Sequence, residues 1–389
     1  MDLKNKKILV TGGTGFLGSN IIDHLVRERG IPAGDIHVFY LKDSPTNALD
    51  DIDGLNFFSG NILDVSSIQD ALNTCQIVFH TVGNTTFDPF KRKIQWLVNV
   101  EGTRNIIESC LKSPTFEKIV HTSTVNTLGA PYPVGSLGDE NTSPYEDKTR
   151  SVHSFDSVDD ILHFADGIHD EALQGKWWKR YKVGYHDSKL AAQEIVNRAF
   201  EENELPVVSI LPGTFFGQRD YFIGNAIYIL RLYNNAMPGY VNTGNPLCHV
   251  KDVVRGHLLG LEKGKEGERY IINGKDEDNR NMGDMLKIIA ETIKELEPGK
   301  KIKTNLKEIP FRIVYFGARL AELWAGLTKT PCLLSRSAVT AGKIISYYSH
   351  DKATKEIGYE PQFSFKDAVK ECFVYLKEND MLGIKGRRV

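Results

Sequence analysis

The sequence predicts an α/β protein built on a doubly wound parallel sheet, with a smaller C-terminal lobe. Three observations carry this. Short β-branched runs alternate with helical patterns through the first 215 residues, the signature of βαβ units whose crossovers cover a parallel sheet. The first strand runs into a glycine-rich turn and at once into an amphipathic helix. After residue 215 the alternation gives way to Gly-rich and polar segments and then, from Lys301, to amphipathic helices.

Length and composition fit that class. A chain of 389 residues can form one large or two smaller domains and bury its own core, so folding needs no disulfide or metal staple. With 41% hydrophobic and 25% charged residues, usage is that of a globular chain and excludes a disordered or collagen-like one. Lys and Arg total 48 against 50 Asp and Glu, so no overall basic field draws the chain to nucleic acid. Cys75, Cys110, Cys248, Cys332 and Cys372 are far apart with no CxxC pair; they read as small buried hydrophobes rather than a zinc site or a disulfide framework. The N-terminus passes from a charged start directly into a strand pattern, without a signal-peptide core, and no later apolar run reaches membrane-spanning length. A cytoplasmic protein is expected.

In chain order, strands are expected at 7–11, 36–41, 56–59, 77–81, 118–123 and 207–211. Helical spacing of Ile21, Ile22, Leu25 and Val26 places one crossover helix over 19–29, and Val98, Ile106 and Ile107 place another over 97–111. Residues 1–215 then form a dinucleotide-binding domain, and 216–389 form mainly a substrate-binding lobe with some segments returning to the first domain. The stretch of about 131–180 is long, polar, acidic in its middle and closed by Trp177 and Trp178, which suggests a lid-like insertion over the active site.

The turn after the first strand reads Thr11-Gly12-Gly13-Thr14-Gly15-Phe16-Leu17-Gly18. Gly12 can supply the tight turn, Gly15 lets backbone N–H groups approach a pyrophosphate, and Gly18 lets the helix close on the strand. The positive end of that helix would face the anion. At the end of the second strand Lys42 precedes the first carboxylate, Asp43, so a 2′-phosphate is favoured over a free ribose hydroxyl and the cofactor tilts to NADP rather than NAD. After the third strand, Asn61 could meet an adenine edge.

A second constellation is Tyr185-His186-Asp187-Ser188-Lys189 at the opening of a helix. Tyrosine and lysine four residues apart share one face. An ammonium and a cationic nicotinamide would stabilise the phenolate and make a usable acid/base. The strand before it ends in His121-Thr122-Ser123-Thr124, whose hydroxyls could polarise a substrate oxygen.

With these residues the chain resembles the extended short-chain dehydrogenase/reductase superfamily over nearly its whole length. The specific pieces are TGGTGFLG, Gly60-Asn61-Ile62, the run from Val78 to Gly83, Asn99-Val100-Glu101-Gly102-Thr103, HTST, YHDSK and Leu211-Pro212-Gly213-Thr214. The resemblance implies a Rossmann-type fold, with Thr124, five residues before Gly129, as the catalytic hydroxyl and Ser123 its neighbour. Tyr185 would be the proton donor or acceptor, while Lys189 lowers its pKa and holds the nicotinamide ribose. Phe16 and Leu17 would donate backbone N–H groups to the pyrophosphate, and Asn61 and Ile62 would meet adenine. Thr81, Val82, Gly83 and Asn99 would line the cofactor cleft; Pro212, Thr214 and Phe215 would contact the nicotinamide. A homodimer is the superfamily's default.

Three departures stand out: Asn61 for the usual aspartate, Val82-Gly83 for paired alanines, and Leu211 for a frequent polar residue, which makes the substrate side more apolar. Residues 237–246 carry no arginine or lysine to clamp a diphosphate; Arg231 lies upstream and Lys251 beyond. The resemblance is therefore nearest to the branch of 3β-hydroxysteroid dehydrogenases, dihydroflavonol reductases and 3-oxoacyl-type ketone reductases, whose C-terminal pattern residues 346–353 and 357–361 share. The expected reaction interconverts a ketone and a secondary alcohol on a steroid, lipid or acyl-type substrate. An NDP-sugar epimerase or dehydratase ranks second, and a nonenzymatic NAD(P)-binding sensor or scaffold third.

The segment after Cys248 resembles one that introduces a substrate-domain helix, with His249 structural rather than catalytic. His153, His163 and His169 have irregular spacing and no supporting cysteine, so no metal is expected. Trp177 and Trp178 either wall the substrate or anchor the insertion. Residues 310–325 form an amphipathic helix rich in aromatics that either packs on the lobe or, with Leu327, Pro331, Leu333, Leu334 and the cations Arg312, Arg319, Lys329 and Arg336, makes peripheral membrane contact through about 310–335.

Overall fold

A computed structural model describes residues 3–146, 153–167, 184–332 and 334–383. Seven parallel strands make the central sheet: β1 (Ile8–Thr11), β2 (Ile36–Leu41), β3 (Asn56–Gly60), β4 (Ile77–His80), β5 (Lys118–Thr122), β7 (Val207–Pro212) and β11 (Arg269–Ile272). Their order across the sheet is β3-β2-β1-β4-β5-β7-β11. The chain winds outward from β1 in both directions, so the crevice between the C-terminal ends of β1 and β4 is the place where such sheets bind ligands.

Both faces of the sheet are buried, and alternate residues feed separate cores. Ile8, Val10 and Val38 point into one with α1 (Phe16–Arg27), α8 (Val250–Lys263) and α12 (Asp351–Ile357). Leu9, Phe39 and Val78 point into the other. That face is covered by α2 (Val65–Leu72), α4 (Gly102–Lys112), α5 (Val158–Asp166) and α6 (Gly184–Asn203). Ahead of α4, the short helix α3 (Arg92–Trp96) passes through a π-helical turn at Leu97–Glu101.

A third core belongs to the C-terminal lobe, where α7 (Ile227–Tyr233), α9 (Met282–Leu296) and α13 (Phe365–Glu378) pack together. They lie against a small sheet of β8 (Thr214–Phe216), β10 (Gly244–His249) and β12 (Asn279–Asn281). Two-residue strands add local pairings, β6 (Leu137–Gly138) with β14 (Tyr347–Tyr348) and β9 (Gly239–Tyr240) with β13 (Lys307–Glu308). The long helix α10 (Phe311–Thr328) and α11 (Arg336–Ala341) complete the lobe.

One expectation is corrected here. The helix after Cys248 does not enter the C-terminal lobe; it is α8 and lies on the central sheet. Its glycines explain the close approach: a Cβ on Gly256 would lie 2.7 Å from Ile272, and one on Gly260 2.7 Å from Ile210. His249 caps it, accepting from the Lys251 N–H at 3.0 Å, and its other nitrogen meets Glu371 at 2.7 Å. That is a structural role.

The described part of the insertion is anchored. The Glu140 carboxylate accepts from the Ile271 N–H at 2.8 Å, so this segment covers the β11 edge of the sheet. Phe155 and Phe164 pack around the buried Trp96, and Asp166 at the end of α5 pairs with Arg104 and Arg198, each at 3.0 Å. Trp177, Trp178 and His169 lie outside the described residues.

Candidate active site

The glycine turn closes by contact. Gly12 has φ +68°, and a Cβ on Gly18 would lie 2.4 Å from the Gly12 carbonyl oxygen, so the first turn of α1 rests directly on the end of β1. Gly13, to which the sequence reading gave no role, is equally confined: its Cβ would lie 2.7 Å from Val38. Gly15 is the N-cap of α1, no side chain caps that end, and its first turn holds no acidic residue. The first N–H groups of a helix, here Phe16 and Leu17 among them, have no intrahelical acceptor and carry its positive end. The bare helix end and the glycine cradle fit a pyrophosphate. The Phe16 ring leans on Phe215 at 5.1 Å, which ties this turn to the Pro212–Phe215 segment; there Pro212 is buried, and Thr214 and Phe215 are half-buried.

Across the crevice, the Thr81 N–H and hydroxyl both donate to the Thr11 carbonyl, at 3.2 and 2.6 Å, bringing Val82 against Gly12. The Thr81 hydroxyl is thus used by the scaffold, while Gly83 is exposed beside it. Asn99, expected to line the cleft, has its amide engaged by protein groups. It is buried in the π-helical turn, where its amide accepts from the Asn84 N–H at 2.7 Å and donates to Ser188 Oγ at 2.9 Å. Ser188 in turn donates to the Tyr185 carbonyl at 2.8 Å, so Asn99 links the loop after β4 to the start of α6. The π-helical turn is what aims that amide at both partners, a use such turns often have at functional sites.

In the turn after β3, the Asn61 side-chain oxygen accepts from the Leu63 N–H at 3.0 Å. Ile62 is buried against Gly102, whose Cβ would lie 2.8 Å away. Lys42 and Asp43 are exposed in the turn after β2, Asp43 with φ +67°.

Thr124, Tyr185 and Lys189 come together at the ends of β5 and α6. The Thr124 hydroxyl stands beside the Tyr185 phenol and accepts from the Asn126 N–H at 3.3 Å. Lys189 Nζ donates to the Thr122 carbonyl at 2.7 Å. Burial pushes the Tyr185 phenol up to about 12, opposed by the Thr124 hydroxyl, and burial brings Lys189 down to about 8. Its ammonium is directed to the backbone of β5. Ser123, next to Thr124, has a buried hydroxyl without a protein partner among the described residues, a group suited to receive a ligand.

Aromatic and imidazole rings surround the phenol. The Phe87 ring stands edge-on to Tyr185 at 5.7 Å. Buried His80 bonds Thr11 and Thr103, and burial brings it down to about 3, so it stays uncharged; His121 stacks on it at 5.6 Å. Behind Tyr185, His153 from the insertion meets the Asn126 carbonyl at 2.9 Å and Asp187 at 3.5 Å. Asn84, Phe87, Ser188 and the His153–Asp187 pair were not singled out from sequence. Ser188 and Asp187 lie inside YHDSK, but nothing in their spacing shows which distant residues they meet. No group of three or more His, Cys, Asp or Glu able to hold a metal occurs among the described residues.

The model of the 3-beta hydroxysteroid dehydrogenase/isomerase family matches residues 9–155, and that of the NAD dependent epimerase/dehydratase family matches residues 164–273. The chain is 27% identical to cinnamoyl-CoA reductase 2 of Medicago truncatula, covering 75% of this chain and 78% of that protein. It is 23% identical to a 3-beta-hydroxysteroid dehydrogenase of Mycolicibacterium neoaurum, covering 95% and 91%. Among solved structures, gox2253 shares 27% identity with a TM-score of 0.72 over 97% of this chain and all (100%) of that one. The UDP-glucose 4-epimerase of Thermus thermophilus shares 20% identity with a TM-score of 0.66, covering 95% and 99%, a likeness of fold.

Proposed function

The chain belongs to the extended short-chain dehydrogenase/reductase superfamily, an NAD(P)-dependent group of enzymes, and from that premise we propose that it interconverts a ketone and a secondary alcohol on an apolar substrate. The observation that carries the reading is the meeting of Thr124 and Tyr185 at the end of β5, with Lys189 one helical turn away and bonded to the same strand. When bound, the dinucleotide supplies or accepts the hydride at the substrate carbon. In the reducing direction, Tyr185 gives its proton to the carbonyl oxygen, and Thr124 holds that oxygen and the phenol in line. In the oxidising direction the same phenol, as phenolate, takes the alcohol proton. Lys189, released from the Thr122 carbonyl, would turn its ammonium toward the phenolate and the cofactor ribose.

Apolar specificity is supported by Phe87 against Tyr185 and by the absence of arginine and lysine from residues 237–246. The exposed Lys42 supports NADP over NAD. The reading includes a homodimer in the cytoplasm, which sizing of the pure protein checks. The function itself is tested by following NADPH and NADH oxidation against a panel of steroid, acyl and sugar-nucleotide carbonyls. Turnover of the apolar ketones with NADPH preferred is expected; conversion of a sugar nucleotide without net cofactor change would overturn the reading.

A further inference from the structure

Helix α10 is amphipathic in the reverse sense for a helix of a globular domain. It meets the body of the protein through Ala318 and Ala325, which are 0% and 3% exposed. On its opposite side Ile313, Phe316, Leu320, Leu323, Trp324 and Leu327 are all between 51% and 83% exposed. At about 100° per residue these six large side chains fall within one stripe about 100° wide, the width normally turned toward a core. Phe90 extends the patch, its ring 3.3 Å from where a Cβ on Gly326 would lie, and both Phe90 and the nearby Ile94 are exposed.

The rim of this patch is basic. Arg312 and Arg319 flank the stripe, Lys329 follows the helix, and Lys91 and Lys93 lie beside Phe90 and Ile94; all five are exposed. The one acidic residue of α10, Glu322, is already occupied by Arg336, which donates to it from its backbone N–H at 2.7 Å and from Nε at 2.6 Å. The chain as a whole has a net charge of −2, so this cationic rim is a local feature.

We propose that this face of α10 docks in the plane of an anionic lipid surface, with the apolar stripe among the upper acyl chains, Trp324 at the headgroup level and the arginines on lipid phosphates. Exposed cations beside a continuous apolar stripe match that boundary. A second copy of the chain fits worse: two such stripes face to face would bring like-charged rims together, and α10 has no free carboxylate to receive them. No described helix is long and apolar enough to cross a membrane, so the contact is peripheral. The following helix, α11, reaches toward the candidate active site: Arg92 donates to Ser337, and Arg92 packs where a Cβ on Gly184, the residue before Tyr185, would be. The docking stands apart from the choice of substrate.

The test is co-sedimentation of the full chain with vesicles of phosphatidylcholine alone or mixed with phosphatidylglycerol, alongside its mass in solution. Binding to the anionic vesicles, weakened by salt, is expected. It should fall by roughly tenfold or more in Arg312→Glu/Arg319→Glu and in Trp324→Glu/Leu327→Glu. Both pairs are exposed, so the fold and the cofactor affinity should be retained, which a NADPH titration checks. No vesicle binding by the wild type, or binding unaffected by these changes, would overturn the proposal. So would a dimer that Trp324→Glu/Leu327→Glu converts to a monomer without any lipid binding.

Discussion

Lys189 Nζ is 2.7 Å from the carbonyl oxygen of Thr122, on the strand whose end carries Thr124. The bond ties α6 to β5 and satisfies a buried ammonium that burial brings down to about 8. Between that value and the ordinary lysine value of 10.5 the unfolded chain binds the extra proton and the folded chain does not, so stability rises with pH across this window. Below about pH 8 the buried charge costs its full penalty. Relative to Lys189→Met, the wild type should therefore gain about 3 kcal/mol between pH 8 and 10.5, the whole of the shift. Urea denaturation of both proteins at several pH values measures this, and parallel pH dependences would refute it.

Gly18→Ala should disable the cofactor cradle. The new Cβ would lie 2.4 Å from the Gly12 carbonyl, a backbone atom, so α1 must lift from β1. Dinucleotide affinity should fall by roughly tenfold or more, read by calorimetric titration. Gly34→Ala, with open space around it but for a Gly54 carbonyl at 4.0 Å, is the control that should leave affinity unchanged.

Lys42→Ala should separate the two cofactors. If its ammonium meets a 2′-phosphate, NADPH binding weakens by roughly tenfold to a hundredfold while NADH binding barely changes. Fluorescence titration with both gives the ratio, and equal losses would mean that Lys42 reads only the shared part of the molecule.

The His153–Asp187 contact joins the insertion to α6 two residues from Tyr185. Asp187 is fully buried, and His153 also bonds the Asn126 carbonyl, next to Thr127, whose hydroxyl donates to the Thr124 carbonyl. His153→Ala should cost about 1–3 kcal/mol by removing a buried imidazole that bonds the Asn126 carbonyl and stands beside the Asp187 carboxylate. Asp187→Asn, which removes the charge, should cost less. Thermal denaturation ranks the two; the reverse order would show that the pair contributes through packing alone.

How much of this was legible depends on the range over which the information acts. Strands such as Ile36–Leu41 are short β-branched runs and announce themselves; β11 is four residues, Arg269–Ile272, set among charged and glycine residues, and only its pairing with β7 makes it a strand. The glycine turn and YHDSK are local, so the chemistry of Gly12, Gly18, Tyr185 and Lys189 could be read from their neighbours. Asn99 could be seen as part of a motif, but not that a π-helical turn would spend its amide on Asn84 and Ser188. The amphipathic period of α10 was visible too. Which side of it faces the protein was not, because that is decided by Ala318 and Ala325 fitting against distant segments. The same holds for α8, whose glycines suit a close approach to Ile210 and Ile272 that no local pattern records.

The central claim is that the Tyr185 phenol, held by Thr124, moves the proton that accompanies hydride transfer. The most direct measurement is single-turnover transfer of deuteride from 4-deuterated cofactor to the ketone substrate, comparing the wild type with Tyr185→Phe after titration has shown equal cofactor binding. The account predicts a transfer rate lower by roughly a hundredfold to ten-thousandfold in the variant. Transfer at the wild-type rate with cofactor equally bound would contradict it.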